Sequence, residues 1–269
     1  MVAVTTITGY LLARHKLDAA FILPTLGIFF LACSSSVLNH LQEISSDAKM
    51  SRTSLRPLPN GTASKSFAIV LSLLEFSIGF SLLLFISGYT SAILGIIALI
   101  WYNGIYTPLK KKTVHAVIPG SVIGAIPPLV GWVAGGGELS SPKAWIIALF
   151  FFVWQVPHFY LLAYKFSAQY KNAGFPIITD SLSEKSIRYL IYIWILLTSI
   201  ATGVLQVTGI VSSYISAIFL FILVLWLNIE FIKIIINKSV NFSPGKYFMK
   251  INYFILLVVI ILSVDQLFW

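Results

Sequence analysis

The chain is 269 residues long, 58% hydrophobic and only 10% charged, and its 18 Lys and Arg against 9 Asp and Glu leave a net charge of +9. With a mean hydropathy of +0.92 it has too little polar surface to coat a soluble globule, which excludes soluble enzymes and nucleic-acid-binding domains and makes the lipid bilayer its solvent. A single cysteine, Cys33, leaves neither a disulfide framework nor a cysteine-based metal site.

Nine apolar runs follow in order, at residues 2–13, 19–38, 66–87, 90–107, 115–134, 143–164, 187–207, 210–236 and 248–268. Most reach or approach the roughly 20 residues that span a bilayer core as helix. The first does not, because about 12 residues rise only ~18 Å. Helix 1 therefore reads as cut short, by a late start or by loss of its first half, and it lacks the basic leader of a cleaved signal peptide. The expectation is one all-α integral-membrane domain over residues 1–269, a bundle of about nine helices with the first shortened. Fifteen of the eighteen Lys and Arg, Lys238 among them, fall in the links after the second, fourth, sixth and eighth runs, against only Arg14, Lys16 and Lys143 on the other side. By the positive-inside rule the basic loops and the N-terminus are cytoplasmic and the C-terminus is outside.

The loop after the second run, residues 39–57, carries the densest chemistry. Asn39, Glu43 and Asp47 recur at i, i+4 and i+8, so on a continuous helix they drift only about 40° per step and line one face. Two carboxylates and an amide oxygen then converge, with Lys49, Arg52 and Arg56 just beyond. Acids that can hold a hard divalent cation beside cations that can hold phosphate oxygens suggest a site for a metal-bound diphosphate. The plainer reading is a helix end leaving the bilayer in a charged loop.

Two later stretches on the same side hold more than topology requires. In residues 101–132 the fourth run ends in Tyr102, Asn103 and Tyr106, breaks at Pro108, shows Lys110, Lys111 and Lys112, and re-enters through Pro119, Gly120, Gly124, Pro127 and Pro128. Interfacial tyrosines fit an aromatic belt and a lysine triplet fits a stop-transfer anchor. Gly and Pro at this density let helices approach closely or bend round a cavity. Residues 151–180 set Gln155, Pro157 and His158 inside an apolar helix, then leave through Lys165, Gln169, Tyr170 and Lys171. An intramembrane histidine serves an interhelical hydrogen bond as readily as a ligand. The rings of Phe151, Phe152, Trp154, Phe159 and Tyr160 would shield a reactive cation from water, or simply pack. Glu75, alone in the third run, is a site candidate whose partner the sequence does not name.

These motifs carry a resemblance in their order: Asn39-x3-Glu43-x3-Asp47-x2-Met50-x-Arg52-Thr53-x2-Arg56-Pro57, then Tyr106-Thr107 ahead of the lysine triplet, then Ile126-Pro127-Pro128-Leu129-Val130-Gly131-Trp132, Trp154-Gln155-x-Pro157-His158-Phe159 and Tyr170-x2-Ala173-Gly174-Phe175-Pro176. Over nearly its whole length the chain resembles the UbiA-type intramembrane prenyltransferases, and among them the branch that farnesylates protoheme IX. The resemblance implies a nine-helix bundle in a prokaryotic plasma (inner) membrane, with a central cavity open to the cytoplasmic side. It implies Mg²⁺-dependent transfer of farnesyl from farnesyl diphosphate to haem b, giving haem O for a haem A synthase or an oxidase-assembly partner. By the same resemblance Asn39, Glu43 and Asp47 hold metal and diphosphate, and Arg52 and Arg56 contact diphosphate. Lys110, Lys111 and Lys112 lie on a loop capping the site, His158 lies near the tetrapyrrole, and Tyr106, Gln155, Gln169, Tyr170 and Lys171 join them as substrate-binding residues, Gln169 at the second motif. The chain departs from the pattern at Glu43, where Asp is commoner, at Gln169, where an acid is usual and Asp180 or Glu184 would have to substitute, and in its short first helix. A quinone-precursor acceptor, and a non-catalytic haem- or lipid-binding descendant, stand as alternatives.

Overall fold

A chain with no water to satisfy its backbone must close its hydrogen bonds within each span, and every long element here is a helix. The computed structural model describes residues 1–236 and 242–269, so Lys238 lies outside the described residues. The helices are α1 (Val2–Arg14), α2 (Ile22–Gln42), α3 (Lys65–Leu82), α4 (Gly88–Ile100), α5 (Val117–Ala134), α6 (Pro142–Lys165), α7 (Glu184–Val207), α8 (Tyr214–Ile236) and α9 (Pro244–Phe268). Among the described residues, seven helical stretches are long and apolar enough to cross a bilayer, one of them the 45-residue Lys65–Leu109.

That long stretch folds back on itself at Gly88, whose φ of 82° and ψ of 177° favour glycine. A Cβ at Gly79 and one at Gly95 would both strike Leu31 of α2, yet sixteen residues of straight helix would separate them by about 24 Å. The runs expected at 66–87 and 90–107 are thus the two arms of a hairpin. The second arm continues through a π-helical segment, Trp101–Tyr106, into Thr107–Leu109.

Glycine sets the closest helix contacts, as the sequence anticipated. At Gly131 of α5 a Cβ would lie 1.9 Å from the Thr6 carbonyl oxygen, and at Gly9 of α1 another would lie 2.0 Å from that of Pro128. The short α1 is thereby held flat against α5, the most enclosed of the spanning helices with 67% of its apolar window buried. The outer faces of α3, α4 and α8 present large side chains such as Phe67, Leu73, Ile93 and Phe219, as lipid contact requires. The links after α2, α4 and α6 meet at one end of the bundle and build the site.

Candidate active site

The constellation at 39, 43 and 47 is assembled, though not on one continuous helix. Helix α2 stops at Gln42, where Glu43 takes φ −120° and ψ 12°, and a separate turn, Ile44–Asp47, follows. The three side chains still point inward, with Asn39 6%, Glu43 4% and Asp47 1% exposed. Lys110 Nζ donates to Glu43 Oε2 at 2.7 Å and Arg56 donates to Asp47 Oδ2 at 2.8 Å. Burial pushes the Lys110 ammonium below its ordinary range, and the adjacent Glu43 carboxylate opposes that shift.

Polar ties hold this geometry from below. Asn103 donates to Ser35 Oγ at 2.6 Å, Gln42 donates to the Asn103 carbonyl at 3.0 Å, and Asn39 donates to Thr107 Oγ1 at 3.0 Å. Residues 35, 39 and 42 form one stripe of α2, so this stripe is laced to the π-helical segment and the residue after it. From the other side Thr53 donates its hydroxyl to the Asp47 carbonyl at 2.9 Å. Gln42 escaped the sequence reading, and Thr53 and Thr107 entered it only as members of the motifs, with no role assigned. The available signal for Gln42 and Thr107 was their i+3 and i+4 spacing from Asn39 and Asn103, whereas Thr53, six residues past Asp47, carries no such signal.

The loop after α6 closes the far wall. Met50 packs with Ala173, Phe175 and Tyr170 in a small apolar cluster of its own. Arg52 donates to the Tyr170 hydroxyl at 2.8 Å and stacks over the Phe166 ring at 4.7 Å. Gln169 accepts from the Arg52 backbone N–H at 3.4 Å, which sets it beside the first motif. Lys171 and Asp180 pair with each other at 3.0 Å on the exposed rim. Lys111 donates to the Gln42 carbonyl at 3.1 Å, and Lys112 is exposed.

Between these walls opens a narrow cleft of about 60 Å³, lined by Tyr106, Lys110, Phe159, Tyr160, Tyr170 and Phe175 among others. The Tyr106 and Phe159 rings stack at 6.1 Å, and His115 Nδ1 meets the Tyr160 hydroxyl at 3.1 Å. Of the aromatic wall expected from sequence, Phe151 and Trp154 lie in the core instead. Phe151 is 1% exposed, and the Trp154 indole donates to the Ile251 carbonyl of α9 at 3.2 Å. His158 is enclosed by Trp154, Phe159 and Phe248, and its Nδ1 is buried with no hydrogen-bond partner. Gln155 lies against Gly124, with its Oε1 likewise unpartnered. Glu75 Oε2 is also buried without a partner, and nothing in the structure explains it.

The donor set fits a hard divalent ion. Glu43 Oε1 is buried and unpartnered while Oε2 is engaged by Lys110, so a carboxylate oxygen faces inward with no proton donor to satisfy it. Among the described residues no three His, Cys, Asp or Glu gather as a complete metal cage. That suits an ion such as Mg²⁺, which is ordinarily held by one or two carboxylates and completed by phosphate oxygens and water.

The pattern of the UbiA prenyltransferase family matches residues 2–254. This chain belongs to that family. It is similar to the protoheme IX farnesyltransferase of Nitratidesulfovibrio vulgaris, 36% identical over 194 residues that make up 72% of this chain and 68% of that one. The protoheme IX farnesyltransferase of Geobacter sulfurreducens is 34% identical over 192 residues, 71% of each chain. The solved UbiA homolog from Archaeoglobus fulgidus bound to GPP and Mg²⁺ superposes with a TM-score of 0.66 at 14% identity, covering 99% of this chain and 96% of that one. The bundle described above is therefore the UbiA fold, and the chain is an integral-membrane prenyltransferase.

Proposed function

We propose that this prenyltransferase moves a farnesyl group from farnesyl diphosphate to haem b, giving haem O, with its basic loops on the cytoplasmic side of a prokaryotic inner membrane. The observation that carries the donor half is the unpartnered Glu43 Oε1 among buried Asn39 and Asp47. Asn39, Glu43 and Asp47 would hold Mg²⁺, which when bound neutralises charge on the diphosphate leaving group. Arg56 and Lys110, already at the carboxylates, lie ready to take diphosphate oxygens, and Arg52 is held by Tyr170 to do the same. Breaking the bond between farnesyl C1 and its oxygen leaves an allylic cation. Tyr106, Phe159 and Phe175 wall the cleft beside it and exclude water, while their π faces favour the positive charge.

The acceptor half is supported by the farnesyltransferase names of the relatives and by His158. A haem vinyl carbon attacks farnesyl C1, and water then adds to the second vinyl carbon and loses a proton, leaving a hydroxyethylfarnesyl group. His158, with a free Nδ1 in an aromatic enclosure, is suited to bind the haem iron or to accept that proton. Pigment analysis after expression in a host lacking its own haem O synthase tests the reading, with haem O expected. Haem b alone, with prenylation of a quinone precursor, would overturn it.

A further inference from the structure

The hydroxyl of Thr107 has one proton and two lone pairs, and its surroundings leave no choice about how they are used. It sits one residue past the π-helical Trp101–Tyr106, and its Oγ1 lies 2.9 Å from the Tyr102 carbonyl oxygen, which also receives the Thr107 backbone N–H. A carbonyl can only accept, so the hydroxyl proton is committed to Tyr102. Toward Asn39, 3.0 Å away, Thr107 can then only accept. The Asn39 amide must present its NH₂ to Thr107 and turn its oxygen the opposite way.

We infer that Thr107 is a positioning residue for the metal site, fixing the Asn39 amide with Oδ1 toward the space shared with Glu43 and Asp47. An amide is chemically two-faced: its oxygen ligates a cation and its NH₂ repels one. Both orientations fill the same volume, so packing alone cannot select between them. Among the described residues Asn39 Oδ1 takes no hydrogen bond, which leaves it available as the third oxygen donor beside two carboxylates, one of which has a free buried oxygen. The π turn contributes directly, because i→i+5 closure is what brings the Thr107 hydroxyl and backbone N–H to one carbonyl. Thr107 is itself buried, at 2% exposed, so its effect on the site passes through Asn39.

The inference rests on the metal reading of the site, and the test separates the two. Mn²⁺ binding is measured by electron paramagnetic resonance on purified protein holding a farnesyl thiolodiphosphate, which does not ionise. Thr107→Val keeps the shape and loses the acceptor, so Mn²⁺ affinity is expected to fall about 3- to 10-fold, the ratio carried by one ordinary hydrogen bond. Thr107→Ser restores the hydroxyl and is expected to bind as wild type does. In an Asn39→Ala background Thr107→Val is expected to add nothing further. If Val does not fold at this position, Thr107→Ala provides the same comparison. Equal affinity in wild type and Thr107→Val would overturn the inference, as would a Thr107→Ser variant as impaired as Thr107→Val. Absence of a Mn²⁺ site in the wild-type protein would overturn the metal reading, and this inference with it.

Discussion

Replacing Asp47 with Asn separates the chemical role of this carboxylate from its structural one, because it removes a negative charge and almost no volume. Asp47 is 1% exposed and its Oδ2 receives Arg56 at 2.8 Å, but the Arg56 side chain is itself 34% exposed. Breaking a fully buried pair costs about 3–5 kcal/mol. With one partner a third open to solvent, screening reduces the expected loss to about 1–2 kcal/mol. That corresponds to a fall in melting temperature of roughly 2–8 °C, so the protein stays folded and inserted. The bond from Thr53 reaches the Asp47 backbone and is unaffected. Turnover is a different matter: on the proposed assignment Asp47→Asn removes one of two ligand carboxylates, which lowers both Mg²⁺ affinity and the neutralisation of the leaving diphosphate. A loss of about 10²–10³-fold is expected, the scale of removing one preorganised charge-stabilising group. The assay is chromatographic separation of haem b and haem O over a Mg²⁺ titration, alongside a melting curve in detergent. Near wild-type turnover in a variant that melts only slightly lower would refute the assignment of Asp47 to the metal site.

Other substitutions probe the remaining walls. Gln169→Asp places a charge beside Arg52 and the first motif and is expected to lower the Mg²⁺ needed for half-maximal activity; an unchanged Mg²⁺ titration would place position 169 outside the metal shell. His158→Ala is expected to weaken haem b binding, followed by its Soret band, more than it slows hydrolysis of farnesyl diphosphate, and equal losses in both would remove His158 from the acceptor side. Gly131→Ala forces a Cβ to within 1.9 Å of the Thr6 carbonyl oxygen, backbone that cannot swing aside. A loss of at least about 1–3 kcal/mol is expected, read as a lowered melting temperature, and an unshifted curve would contradict the α1–α5 packing.

Much of the bundle was legible because lipid solvation allows so few solutions: apolar run lengths marked the spans, and Gly88 with Gly79 and Gly95 explains how one 45-residue helical stretch makes a hairpin. The acidic constellation was legible from spacing, but its support was not. Nothing at Glu43 resembles a helix breaker, and the break sits where its carboxylate turns to Lys110, sixty-seven residues away. No local propensity records such a contact. Thr107 stood in a motif but its role was equally hidden, since a threonine beside Pro108 reads as an ordinary helix end until the π turn and α2 are both in place. The inward aromatic wall was half legible for a simpler reason: every ring on α6 is equally apolar, and only the positions of α5 and α9 decide whether Phe151 and Trp154 face core or Phe159 and Tyr160 face the cleft.

The two ion pairs have a consequence for the order in which ligands can arrive. Glu43 with Lys110 and Asp47 with Arg56 leave the resting pocket electrically closed, each acid spoken for by a cation. A bare metal ion at the free Glu43 Oε1 would crowd a third positive charge against Lys110 and Arg56, and a bare diphosphate would draw those cations from acids left buried and alone. Together, the two ligands trade partners four ways and leave no charge stranded. On the proposed assignment the pocket would be a lock with two keys, in which metal and diphosphate each raise the affinity for the other by the same factor, as linkage demands.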